Sequence, residues 1–139
     1  MVECPRATGI GRAMIDVPKL VAYWRDGAQE DWAVARELVD RGRSRHGLFF
    51  AHLALEKILK AHVCAKTGKL APRTHNLMRL AELASLTLKP EQADALAEMN
   101  TFALEGRYPE TLLPPPNEAE ARRYMTRAEE VFQCLTRQL

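Results

Sequence analysis

The most regular hydrophobic pattern lies at the C-terminal end of the chain. Ala121, Tyr124, Met125, Ala128, Val131, Phe132 and Leu135 recur at three- and four-residue steps, which places them in one apolar stripe along a helix. Residues 44–67 behave differently. Leu48, Phe49, Phe50, Leu53, Leu55, Ile58, Leu59 and Val63 cover almost the whole circumference of a helix. Only Glu56, Lys57 and Lys60 interrupt them, as a charged wedge. A helix that is apolar nearly all round belongs in the centre of a bundle or at a subunit interface. No run alternates polar and apolar residues long enough to make a strand, and Ala, Leu, Glu and Arg dominate throughout.

Punctuation residues divide this pattern into about five helices. Residues 1–15 lack periodicity and read as a flexible tail, leaving residues 16–139 as one helical domain. The first helix is expected from Pro18 to Arg41, with Pro18 in the first turn, where no amide donor is needed, and Gly27 as a bend or interruption. Gly42 offers a left-handed cap, Ser44 an N-cap, and the second helix runs to Thr67 with Gly68 as its stop. Thr74 caps a short helix over His75–Ser85, and Pro90 opens a fourth that continues to Glu105 and ends at Gly106. Pro114-Pro115-Pro116 forms a rigid linker, and Asn117 with Glu120 forms a capping box for the last helix. The expected fold is all-α: an antiparallel up-and-down bundle with the second helix central and no internal repeat.

A chain of 139 residues makes one domain and needs no metal or disulfide staple. Its 47% apolar and 27% charged residues are ordinary for a soluble protein. The longest apolar stretch, Leu48 to Leu55, contains His52 and falls far short of the roughly 20 residues of a membrane span. The first 15 residues hold charges, two glycines and a proline instead of the apolar core of a secretory signal. Cys4, Cys64 and Cys134 are odd in number, with no CxxC pair, which suits a reducing cytoplasm and neither a disulfide framework nor zinc.

Charge changes the picture further. The net +2 divides into −2 over residues 1–40, +8 over residues 41–81 and −4 over residues 82–139. Glu56 is the one acid of the middle segment, which also carries all four histidines: His46, His52, His62 and His75. Such a segment can bind phosphate, since Lys and Arg supply charge and His exchanges a proton near neutral pH; it can equally be a set of solvated helix faces.

Three strings carry a resemblance. Ala51-His52-Leu53-Ala54-Leu55-Glu56-Lys57-Ile58-Leu59-Lys60-Ala61, then Thr74-His75-Asn76-Leu77, then Gly106-Arg107-Tyr108-Pro109-Glu110, together with Trp32, Ala35 and Leu38, resemble the prokaryotic HEPN domain over residues 16–139. The resemblance implies an all-α bundle, binding of nucleotide or RNA, homodimerisation, and pairing with a minimal nucleotidyltransferase as a toxin–antitoxin system. Some members of that family are metal-independent ribonucleases using an Arg followed four to six residues later by a His. There, His relays a proton while Arg stabilises charge on the phosphate. Arg41 with His46 and Arg45 with His52 have that spacing, and Arg45 and His52 fall nearly two turns apart on one helix face. In the catalytic relatives the motif sits on a later helix. The corresponding stretch here, Glu105-Gly106-Arg107-Tyr108-Pro109, has an Arg and a Tyr but no His.

Each candidate has two readings. Arg45 and His52 are a catalytic pair, or a surface arginine and a hydrogen-bonded helix histidine. Lys57 and Lys60 line a phosphate cleft, or Lys60 pairs with Glu56 on the helix surface while Lys57 bonds a neighbouring helix. His75 holds an anion, or ties down the loop before it. Arg107 and Tyr108 contact phosphate and stack on a base, or Arg107 satisfies the carbonyls that end a helix while Tyr108 packs its ring. No phosphate-binding glycine loop, paired carboxylates or zinc-spaced histidines occur, so no cofactor or metal is expected. The sequence thus supports a binding module with a nucleotidyltransferase partner. It leaves open a ribonuclease toxin and a dimerisation domain without ligand.

Overall fold

The computed structural model describes residues 15–105, 114 and 116–139. Within them lie six helices: α1 Val17–Asp40, α2 Ser44–Thr67, α3 Leu77–Leu83, α4 Pro90–Met99, α5 Thr101–Glu105 and α6 Glu118–Arg137. No strand occurs among the described residues. Apart from Ile15, the expected N-terminal tail lies outside them, as do Gly106, Arg107, Tyr108 and Pro115.

α1 and α2 form a long antiparallel hairpin. Asp16 starts α1 by accepting from the Lys19 amide at 3.1 Å, with Pro18 in the first turn. Gly27 does not interrupt the helix as expected; α1 runs through it unbroken. The Lys57 side chain lies over this glycine, and a Cβ there would stand 3.4 Å from Lys57 Cδ. Gly42 takes a positive φ of 79° at the turn. Ser44 is not the N-cap of α2; Arg43 holds that position without a side-chain cap bond, and Ser44 is the first helical residue, buried. The helices approach closely at Gly47, where a Cβ would lie 2.4 Å from Val39 Cγ2 and 3.0 Å from the Ala35 carbonyl oxygen. Gly68, at a φ of 69°, ends α2 as expected.

Fifteen of the 24 residues of α2 are buried, and every other helix packs against it. This is the central helix that the sequence implies. α6 lays its stripe across α1 and α2, with Trp32 stacked on Phe132 at 5.0 Å between ring centres. Arg36 with Glu129 and Arg122 with Asp40 tie α6 to α1, and Arg127 with Glu98 ties it to α4. Asn117 and Glu120 form the expected reciprocal capping box.

Two boundaries differ from the sequence reading. The short helix begins at Leu77 and is capped by Asn76, whose Oδ1 accepts from the Met78 and Arg79 amides. Thr74 instead accepts from the Asn76 amide and shapes the turn before it. The fourth helix is broken at Asn100, which accepts from the Leu77 amide at 2.9 Å and donates to Asn76 Oδ1 at 3.2 Å. Its side chain serves the start of α3, and that cross-connection cannot be read from periodicity.

Candidate functional site

Two of the three residues in the charged wedge of α2 are buried. Glu56 is 5% exposed and Lys60 7%. A carboxylate taken out of water must be compensated, and Glu56 has compensation on both oxygens. Lys60 Nζ donates to Oε2 at 3.0 Å, and His75 Nδ1 donates to Oε1 at 3.0 Å. Lys60 also sits over the Trp24 ring of α1, 5.2 Å from its centre. Lys57 forms an ion pair with the neighbouring helix, with Nζ 2.8 Å from Asp31 Oδ2. Both lysines therefore carry their own carboxylate partners.

His52 is 2% exposed, and its Nε2 lies 3.0 Å from the His75 carbonyl oxygen. A carbonyl only accepts, so Nε2 carries the proton and Nδ1 faces Glu56 Oε1, 4.0 Å away. Burial holds its pKa below the ordinary imidazole value, against the opposing pull of Glu56. The neutral ring is thus a fixed strut between α2 and the loop before α3. Arg45 is elsewhere. It lines a cavity of about 340 Å³ beside the start of α2, with Arg43, Ser44, His46 and Pro116. His52 does not line that cavity.

His75 is brought to Glu56 by Asn76 and Asn100, which fix the beginning of α3. Its side chain is 51% exposed, in contrast to the groups beneath it. With Nδ1 committed to Glu56, Nε2 is the nitrogen left to meet a ligand.

A groove adjoins this cluster along the same face of α2. Glu56, Lys60, Val63 and Thr67 follow one another at helical spacing, and Val63 and Thr67 form part of the groove wall. The groove measures about 550 Å³. Val63, Leu70, Pro72 and Leu83 give it apolar walls, Lys69 and Arg79 give it cationic ones, and Thr74 leads directly to His75. Leu70 is 66% exposed. Arg79 also pairs with Glu82 at 2.9 Å on the surface.

Of the residues singled out from sequence, the structure brings His52, His75 and Lys60 together around Glu56. Arg45 lines the cavity at the start of α2, and Lys57 turns toward α1. Arg107 and Tyr108 lie outside the described residues. Sequence reasoning missed Lys69 and Arg79 as groove residues, and Asn76 and Asn100 as the pair that sets His75. The one available signal was Glu56, a lone acid in a strongly basic segment. No group of histidine, cysteine and acidic side chains able to hold a metal occurs among the described residues.

Known proteins supply the wider context. No curated protein matches the sequence. Two solved structures share the fold at 20% identity. The protein TT1696 from Thermus thermophilus superposes with a TM-score of 0.73, covering 86% of this chain and 98% of its own. ST0689, an archaeal HEPN homologue, gives 0.65 over 85% of this chain and 96% of its own. The family model for the HEPN domain matches residues 21–138. With helices, central α2 and family model in agreement over nearly the whole chain, this protein belongs to the HEPN domain family.

Proposed function

We propose that the protein binds nucleotide or RNA in the groove beside His75. It works in the cytoplasm as a homodimer, together with a minimal nucleotidyltransferase in a toxin–antitoxin-type pair. The observation that carries the binding reading is the groove itself, whose volume falls in the range of about 300–1,000 Å³ common to small-ligand sites. Apolar walls suit a base, and Lys69 and Arg79 suit a phosphate. His75 offers a further nitrogen at the Thr74 end, while Lys57 and Lys60 support the site through Asp31 and Glu56. Arg107 and Tyr108 remain in the proposal as a phosphate-contacting and base-stacking pair.

The dimer rests on α2. Phe49, Phe50 and Leu53 are only half-buried although the helix is the centre of the bundle, and a second copy would cover them. No helix of the described residues is long and apolar enough to cross a membrane, and the cysteine pattern suits the cytoplasm. The burial of His52 and the bond of its Nε2 to the His75 carbonyl favour the binding reading over a ribonuclease built on Arg45 and His52.

Titration of the purified protein with fluorescently labelled single-stranded RNA and with a labelled mononucleotide tests the reading. Saturable binding that weakens when Lys69 and Arg79 are replaced by alanine supports it. Equal affinity in wild type and variant places the ligand elsewhere.

A further inference from the structure

The start of α2 is chemically incomplete among the described residues. A helix leaves its first amides without intrahelical acceptors, and a polar N-cap side chain or a first-turn acid ordinarily serves them. α2 has neither: Arg43 stands at the N-cap without a side-chain bond, and the first turn holds no acidic residue. The Gly47 amide is the first to close a turn, on the Arg43 carbonyl at 2.9 Å. Ahead of it, the Ser44 and His46 amides meet no acceptor among the described residues. The aligned peptide dipoles of the helix add roughly half a positive charge at this end.

Ser44 gives an independent sign of a ligand. It is 8% exposed, yet its hydroxyl has no hydrogen-bond partner among the described residues. Buried hydroxyls are ordinarily bonded, and this one borders the cavity of about 340 Å³ that Ser44 lines. Arg43, Arg45 and His46 line the same cavity, and no carboxylate does. The acid nearest in the chain, Asp40, is held by Arg122 at 3.3 Å. The exposed side chains of Arg43 and His46 make no ion pair or hydrogen bond among the described residues. Apart from Pro116 the walls carry no apolar side chain, so recognition falls to charge and hydrogen bonds.

We propose that this cavity is a second ligand site, which takes free phosphate or the phosphate group of a small monoester. The phosphate oxygens accept from the Ser44 and His46 amides, the Ser44 hydroxyl and the Arg43 guanidinium, and Arg45 adds charge at the wall. The site is separate from the groove beside His75. Ser44 and the groove residue Thr67 begin and end α2, about 35 Å apart along its axis. Occupation therefore requires neither Lys69 nor Arg79, and it holds whether or not the groove binds nucleic acid.

The test follows the backbone amide resonances of the isotope-labelled full chain during titration with inorganic phosphate, with glycerol phosphate and, at matched ionic strength, with chloride. The expected result is a saturable movement of the Ser44 and His46 amides with phosphate or its ester and none with chloride. The tighter of the two probes identifies the ligand as free anion or monoester. Ser44→Ala is expected to weaken this binding about fivefold, and Arg43→Gln with His46→Gln about tenfold or more. Arg43 and His46 are exposed, so the double variant keeps the fold, which the remaining resonances check. Equal movement with chloride, saturable movement confined to the surroundings of Lys69 and Arg79, or affinity unchanged in both variants overturns the inference.

Discussion

Glu56 and Lys60 face each other one turn apart on α2, with Oε2 3.0 Å from Nζ and both side chains almost wholly buried. Removing one member strands the other in a poorly solvated place. Glu56→Ala is therefore expected to cost about 3–5 kcal/mol. Replacing both residues by methionine is expected to cost far less, because no charge is left behind. Urea unfolding of the single and double variants checks this. A double variant as unstable as Glu56→Ala would show that the pair itself, and not the stranded lysine, sets the loss.

The hairpin of α1 and α2 depends on one missing side chain. At Gly47 a Cβ would meet Val39 Cγ2 at 2.4 Å and backbone atoms at 3.0 Å. Gly47→Ala should destabilise the fold by about 2–3 kcal/mol through forced separation of the helices, despite the better helix propensity of alanine. Gly27→Ala is the matched contrast. Its Cβ would meet only the flexible Lys57 side chain, so the midpoint of thermal unfolding should hold or rise. A drop at Gly27 equal to that at Gly47 would contradict the packing argument.

How much of this was legible beforehand follows from the range of each interaction. Periodicity located the helices, since the stripe from Ala121 to Leu135 and the apolar circumference of α2 record burial position by position. Gly42, Gly68 and Asn117 mark ends because their signals act within one turn. Asn100 broke the fourth helix unforeseen, because its bonds reach Asn76 and Leu77, more than 20 residues away. His75 was singled out by its place in a Thr-His-Asn string, yet its bond to Glu56 crosses from a loop to the central helix. For Lys57 and Lys60 the sequence offers both a phosphate cleft and carboxylate pairing; Glu56, one turn from Lys60, is visible in it, whereas Asp31, the partner of Lys57, lies on another helix.

Two buried histidines should make stability fall on the acid side. Burial holds His52 and His62 below the ordinary imidazole value; His62 also donates from Nε2 to the Leu135 carbonyl at 2.8 Å. Both are neutral in the fold, while the unfolded chain takes up protons below about pH 6.5. Their stabilising contribution is thus complete above that pH and declines as pH falls toward the lower folded values, by up to about 1.4 kcal/mol per pH unit for each. His62→Gln keeps a donor for Leu135 and should flatten the decline between pH 6.5 and 5. An unchanged slope would assign the acid sensitivity to other groups.

Thiol chemistry should separate Cys64 from Cys134. Burial pushes the Cys64 thiol up, so it stays protonated as well as covered, whereas Cys134 is only half-buried. Peptide-mapped alkylation of the native protein should label Cys134 long before Cys64, with the difference vanishing in denaturant. Early labelling of Cys64 would mean that α2 is less firmly covered than its contacts indicate.

The central claim is that the groove of Lys69 and Arg79 holds a nucleic-acid phosphate. Its most direct test is the salt dependence of RNA binding, measured by anisotropy for wild type and for the variant with alanine at both positions. Each phosphate contact on a single strand contributes about 0.7 to the slope of log affinity against log salt. The account predicts a slope smaller by about 1.4 in the double variant, with weaker binding at every salt concentration. An unchanged slope would contradict it and place the ligand away from His75.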